Sequence, residues 1–506
     1  DRELASGENH LEWTTAITTP RLWWPAGLGD QPLYDVSVTV RPAPSSPADD
    51  QAPAVSDRRQ WRTGLRTVKV DGLQWSVNGE RLFAKGIVVG PHDRFLASVD
   101  PEQLVSDVGT ARDAGLDLIR VHGHIARPEL YRAADEAGVL VWQDLPLVGS
   151  YTTRSRGPAR HLARAVVDQL GHHPSIAAWC GHDEPNGPPL PVPDPGAGAE
   201  TATATSRRLG RHLLPSWNRS VLDPLVRREL RAADPSRSVI ARSGSLPNLF
   251  DVAGSDSHLW LGWRAGRGED LGDVIRRWPR LGAFVGTIGS QSVGQGEHGP
   301  AGPDWHGAER GSFERYLPPD AYPDATSWAE ATRLYQAELI RTQIETARRL
   351  KYRPTGGFCV VSLFDHDQAG GFGVLDRQRR AKPALTALVD ACRPVVVVGD
   401  LPPPVVTPGE ELTLAVHAVS DLRQDLGPVR VAARAELGAW SAERIWEGWL
   451  AADSVSYVGN FCFTVPEATG ALVIDLELEA GEGLATNRYR TVIIPPSEAM
   501  DPAPTT

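Results

Sequence analysis

The sequence predicts a (β/α)8 barrel flanked by β-sandwiches, on three observations. From residue 79 to 393, short apolar strands alternate with amphipathic helices, the pattern of a parallel sheet covered by helices. Before and after that span the pattern changes to alternation of apolar and polar residues, with turn residues between the runs. And 506 residues exceed what one hydrophobic core organises, so two to four domains are expected.

Residues 1–78 carry the alternating runs PLYDVSVTV and GLRTVKV on either side of RPAPSSPADDQAPAVSD, a stretch whose Pro, Ala and Asp content supports neither a strand nor a packed helix. This part reads as a small β-sandwich interrupted by a long loop. Strands of the 79–393 span are assigned to RLFAKGIVV, DLIRV, VLVWQD, SIAAWC, SVIA, SDSHLW, GAFVGT and GFCVVSL, with helices such as PEQLVSDVGTARDAG, PELYRAADEAG, LVRRELRAAD and EATRLYQAELIRTQIETARRLKY between them. Eight strand-helix units suit a closed barrel better than an open doubly wound sheet, and the loops after the strand ends then carry the site. Pro185 to Ser206 is an irregular insertion on that side, too rich in Pro and Gly for regular structure. Residues 394–496 return to alternation in LTLAVHAV, VRVAARAEL, VGNFCFTV, ALVIDLEL and YRTVIIP, a second β-sandwich of immunoglobulin-like size, and residues 497–506 form a tail.

The net charge of −11 is spread along the chain, and arginine-rich helical stretches alternate with acids, which argues against a nucleic-acid partner. No apolar run approaches the roughly 18 to 20 residues that cross a bilayer, so no membrane partner is expected. Cys180, Cys359, Cys392 and Cys462 lie far apart, three of them in apolar runs, and suggest free thiols rather than disulfides or a metal knuckle. A homo-oligomer is compatible with the sequence. The chain begins at Asp1, so a leader or upstream domain would lie outside it; location is weakly constrained, with a cytoplasmic one favoured over secretion.

The segment GHHPSIAAWCGHDEPN places Glu184 just past the fourth strand, at the barrel mouth, where a carboxyl can meet substrate; the alternative is a solvated loop acid. His122, His124, His172, His173 and His182 raise the question of a metal. His122 and His124 share one side of a strand end, but no third ligand has suitable spacing, so neither a metal nor another cofactor is expected.

The chain resembles glycoside hydrolase family 2, in its β-mannosidase and exo-β-glucosaminidase branch. The resemblance is carried by RLWWPAGLGDQPLYDVSVTV, VNGERLFAKGI, AGLDLIRVHGHIARPELYRAADEAGVLVWQDLPL, HHPSIAAWCGHDEPN, SDSHLWLGW and RRLKYRPTGGFCVVSLFDHDQAGGFGVLDRQRRAKPAL. It implies an immunoglobulin-like first domain, a carbohydrate ligand, and a chain that looks like the C-terminal part of a longer polypeptide lacking the family's N-terminal jelly roll. It also implies a retaining glycosidase with two carboxyls about 5 to 5.5 Å apart. Glu184 matches the acid/base. Asp183 replaces the Asn before it, which implies a neighbouring anion that favours the acid form of Glu184. Arg120 is kept, His122 stands for an aromatic residue, and His258, Trp260, Trp263 and Gln291 match substrate-side positions, with rim packing the alternative for the two tryptophans. Val361 replaces a tryptophan on strand eight.

Strand seven departs most. The run FVGTIGSQS keeps Gly289, Gln291 and Ser292 but has Thr287 where the family carries its nucleophilic glutamate. A mid-chain threonine lacks the base that would activate it, so covalent retention through Thr287 is not expected. Three readings follow: an altered hydrolase with Glu184 as acid and another carboxylate as base, Glu297 first and then Asp304, Asp183 or Asp256; a pseudo-glycosidase that binds carbohydrate or a partner protein; or a structural component of an assembly.

Overall fold

The computed structural model describes residues 2–12, 14–42, 55–93, 95–185, 215–245, 256–294, 308–367, 369–481 and 483–495. Strands β1 (Tyr34–Val40) and β2 (Asp57–Thr63) pair as a largely exposed antiparallel ribbon. Next, β3 (Val68–Asp71), β4 (Gln74–Val77) and β5 (Glu80–Leu82) form a small meander. The expected boundary between residues 78 and 79 falls in the turn of this meander. Its apolar residues are not a separate core: Trp75, Val77 and Leu82 share one cluster with Trp142 and Phe284. Trp75 lies 5.9 Å from Trp142 and 6.2 Å from Phe284, ring centre to ring centre, so the meander plugs one end of the central sheet.

That sheet contains β6 (Ala84–Val89), β7 (Leu118–Val121), β8 (Leu140–Asp144), β9 (Ile176–Cys180), β10 (Ser238–Ile240), β11 (Val285–Ile288) and, after the short β12 (Ser292–Val293), β13 (Gly357–Val361). Its order is β10-β9-β8-β7-β6-β13-β11, with every neighbouring pair parallel. Such strands are buried on both faces, which is why they read as short continuous apolar runs. The expected strand SDSHLW makes no ladder among the described residues. It contributes one parallel bridge, Ser257 to Val285, because Asp256 and His258 are turned into a polar cluster.

Helices cover the sheet: α1 (Pro101–Asp113), α2 (Pro128–Ala137), α3 (Arg156–Leu170), α4 (Asp223–Ala233), α5 (Leu271–Arg277), α6 (Arg310–Tyr316), α7 (Ala325–Arg349) and α8 (Pro383–Cys392). Their ends follow local chemistry. Asp100 caps α1 ahead of Pro101, Asp324 caps the 25-residue α7 through the Ser327 N–H, and Gly138 ends α2 in the left-handed region.

After β14 (Gly370–Gly371), which pairs with β12, the C-terminal part stacks two sheets around one core. One contains β15 (Val395–Gly399), β17 (Glu411–Ser420) and β20 (Ser454–Thr464), taking β16 as Val405–Val406. The other orders β16, β22 (Gly483–Ile493), β21 (Gly470–Ala480), β18 (Gly427–Leu437) and β19 (Trp440–Leu450). Its junction with the parallel sheet is ionic: Asp421 accepts from Lys85 at 3.0 Å, Arg348 at 2.8 Å and Lys351 at 2.9 Å. No helix among the described residues is long and apolar enough to cross a membrane.

Candidate active site

The carboxyl ends of the parallel strands bring together a closed network of charges. Arg120, on β7 and fully buried, is its hub. Its Nε and Nη2 donate to Asp144 at the end of β8, at 3.0 and 2.8 Å, and Nη2 also donates to Asp183 Oδ1 at 2.8 Å. Its Nη1 reaches Asp256 Oδ2 at 3.4 Å. A planar fork with five donors can serve three carboxylates at once, which a lysine cannot. Asp183 Oδ2 takes a further hydrogen bond from His122 Nε2 at 2.9 Å. Burial alone would raise Asp183, but the Arg120 charge and the His122 bond outweigh it and hold its carboxyl well below the usual range.

Glu184 follows directly, with φ at +45°, a left-handed backbone that is uncommon for a glutamate and marks a constrained position. Its N–H donates to Ser243 O at 3.1 Å. Its Oε1 lies 2.8 Å from His258 Nδ1, and His258 Nε2 lies 3.2 Å from Asp256 Oδ2 and 3.1 Å from Ser243 Oγ. Burial would depress this imidazole. Hydrogen bonds to Asp256 and Glu184 overcome it and push His258 up to about 10, so the ring carries both protons and donates to a carboxylate on each side. Glu184 is therefore bonded to a cation. The expected anionic neighbour, Asp183, has both oxygens committed to Arg120 and His122, so it does not act on Glu184 as an unpaired charge.

Thr287 lies at the end of β11, where the register with β13 breaks between Val285 and Ile288. It is buried, and its Oγ1 has no hydrogen-bond partner among the described residues. The preceding Gly286 is required by space. A Cβ there would fall inside van der Waals contact of Asp256 Oδ2 and 2.9 Å from His258 Cδ2.

The remaining expectations divide. Trp263 is a packing residue rather than a sugar platform: it has no exposed surface and meets Phe313 edge-on at 4.8 Å. Trp260 lies in the same aromatic cluster, 5.0 Å from Phe372, and the Arg264 guanidinium covers it at 4.1 Å from the ring centre. Arg264 is gripped by Glu309, whose own N–H donates to Gln291 Oε1 at 2.7 Å, so Gln291 supports this strap. Asp183 and Asp256 are too committed and too buried to act on a water in the mouth, which removes both as bases. Glu297 and Asp304 lie outside the described residues. His124 does not join His122; its Nδ1 turns back to the His122 carbonyl at 3.0 Å. His122, Asp144 and Asp183 do offer three ligand atoms within 4.8 Å, but Arg120 already donates into both carboxylates, so the cation of this cluster is a guanidinium.

No family model matches the chain. β-Mannosidase A of Aspergillus niger is 30% identical over 188 residues, 33% of this chain and 19% of the relative. β-Mannosidase B of Emericella nidulans is 32% identical over 197 residues, 36% of this chain and 22% of the relative. These matches support a likeness to β-mannosidases of glycoside hydrolase family 2. Solved structures show the same fold for this β-mannosidase-like chain. A β-D-mannosidase from Dictyoglomus thermophilum superposes with a TM-score of 0.70 at 19% identity, covering 94% of this chain and 58% of that one. The exo-chitosanase CsxA of Amycolatopsis orientalis gives 0.63 at 16%, covering 93% and 55%. The matched region is thus about a fifth of the curated relatives, and the chain spans under two thirds of the solved ones.

Asp144, Ser243, Arg264 and Glu309 were not among the residues singled out from the sequence. Asp144 had a signal, a lone acid closing the apolar run LVWQD. Arg264 and Glu309, 45 positions apart, had none.

Proposed function

We propose that the parallel sheet is a (β/α)8 barrel over residues 79–393, flanked by immunoglobulin-like sandwiches in 1–78 and 394–496 with a tail at 497–506, and that its mouth receives a β-linked carbohydrate. Glu184 serves as general acid/base, and Arg120, His122 and Asp183 order the mouth around it. Thr287 occupies the nucleophile position, so the two-step retaining reaction does not run. The observation that supports this best is the Glu184 carboxyl itself: partly open to solvent, aimed by His258, and set among carboxylates that are all otherwise committed. A hydrolytic route would be inverting, with Glu297 or Asp304 activating water across about 6.5 to 9.5 Å.

A second reading, a carbohydrate-binding protein without turnover, is favoured by Thr287, a buried residue that offers no carboxylate. A proton NMR time course with β-mannosides, β-glucosaminides, β-galactosides and β-glucuronides separates the two. Cleavage that disappears in Glu184→Gln supports the first reading, and the first anomer formed reports inversion or retention. Ligand-induced shifts without cleavage support the second, and neither shifts nor cleavage rejects both.

A further inference from the structure

A retaining glycosidase acts in two halves, and the second half needs only a base. In that half an alcohol or water attacks a sugar whose anomeric carbon is held through its α face, while the acid/base residue takes the proton. Glu184 is set for this role. Its Oε1 accepts from His258 Nδ1 at 2.8 Å, and His258 is held from behind by Asp256 at 3.2 Å. That bond fixes Oε1 and orients the carboxyl group, whose side chain keeps some exposure to solvent. Thr287 supplies the complement: a short side chain in place of a glutamate, with a buried hydroxyl that no described residue engages. A donor already carrying a small leaving group on its α face would put that group where the missing carboxylate's sugar bond would be.

We infer that this chain forms β-glycosidic bonds, transferring a sugar from an α-configured donor with a small anionic leaving group to a sugar hydroxyl, with Glu184 as base and the Thr287 hydroxyl assisting departure. The inference rests on the proposed placement of Thr287 at the nucleophile position. With a glycosyl fluoride as donor, the acceptor O–H gives its proton to Glu184, the acceptor oxygen bonds to C1, and the C1–F bond breaks. Fluoride leaves with the bonding pair, accepting a hydrogen bond from Thr287 Oγ1, and Glu184 releases its proton to water. The balance is one glycosyl fluoride and one alcohol giving one β-glycoside, fluoride and a proton. The product then escapes double-displacement cleavage because position 287 offers no carboxylate.

The test incubates the full chain with α-D-mannosyl or α-D-glucosyl fluoride, or with the corresponding α-glycosyl 1-phosphates, and a 4-nitrophenyl β-glycoside acceptor. Coupled product is read by mass spectrometry and its anomeric configuration by NMR. A β-linked product is expected, reduced about a hundredfold or more in Glu184→Gln, as for loss of a general base, and about tenfold in Thr287→Ala, as for loss of one hydrogen bond. Thermal melting confirms that both variants fold. Donor binding seen by saturation-transfer NMR with no coupled product overturns the inference and leaves the carbohydrate-binding reading standing. Absence of any sugar binding overturns both. Coupling that persists in Glu184→Gln also overturns the assignment.

Discussion

The guanidinium of Arg264 lies 4.1 Å from the centre of the Trp260 ring, and Glu309 holds it there by accepting hydrogen bonds from its Nε and Nη2. The chain's own cation thereby covers an indole face, the kind of surface on which a sugar would stack under the proposed function. Replacing Arg264 with Ala uncovers that face. Carbohydrate affinity is expected to rise about twofold to fivefold, the range of one partly exposed cation–π contact. Glu309→Gln, which weakens the grip but keeps the guanidinium, should give a smaller gain. Calorimetric or NMR titration decides, and unchanged affinity in both variants would mean that Trp260 takes no part in binding.

Gly286→Ala tests how tightly strand β11 approaches the charge network. The added methyl would press on Asp256 and the His258 ring, both buried. A cost of about 1 to 3 kcal/mol is expected from overpacking, measurable by urea unfolding, together with weakened carbohydrate binding as His258 is displaced. A neutral effect would place the backbone farther from Asp256 than the structure does.

Stability should carry a pH signature from His258. Its folded value is raised to about 10 from an ordinary 6.5, so the folded chain keeps a proton that the unfolded chain gives up. The contribution is complete below about pH 6.5, declines as pH rises, and is lost on passing through about 10. Unfolding free energies of the parent and His258→Gln should therefore converge toward alkaline pH. A difference that stays constant across that window would contradict a protonated His258.

Arg120→Met should be among the most damaging single substitutions. It leaves Asp144, Asp183 and Asp256 buried without their shared cation, for an expected loss of about 3 to 5 kcal/mol. Arg120→Lys should recover only part of it, because one ammonium cannot reach three carboxylates in different directions. Denaturant midpoints of the two variants provide the comparison.

The backbone pattern was readable because it follows from burial. Runs such as LIRV and LVWQD are apolar since both faces of a parallel strand are covered, and Pro101 and Gly138 mark helix ends by local bonding alone, whereas the helix expected from Glu330 begins earlier, at Ala325 behind the Asp324 cap. Two strands escaped that logic. Residues Asp57–Thr63 and Trp440–Leu450 are largely exposed and rich in charge, so no alternation marks them as sheet. At the mouth, Glu184 and Arg120 were found through motif resemblance, and Thr287 through a break in one. The Glu184–His258–Asp256 chain and the Arg264–Glu309 strap depend on which ends of distant strands meet, information that no local spacing contains.

Asp421 has a consequence for how the chain can be divided. The positive ends of Lys85, Arg348 and Lys351 belong to the parallel sheet and its longest helix, yet the anion that quenches them is supplied from beyond residue 393. Burial would raise that carboxyl, but the three cations hold it well below the usual carboxylate range, so the counter-charge stays in place under all ordinary conditions. A fragment ending at the close of α8 would therefore leave Lys85, Arg348 and Lys351 at its base without Asp421, with Asp117, 3.9 Å from Lys85, the remaining neighbouring acid. Shuffling the parallel-sheet region into another protein requires carrying the C-terminal sheets along, or first rewriting those three side chains.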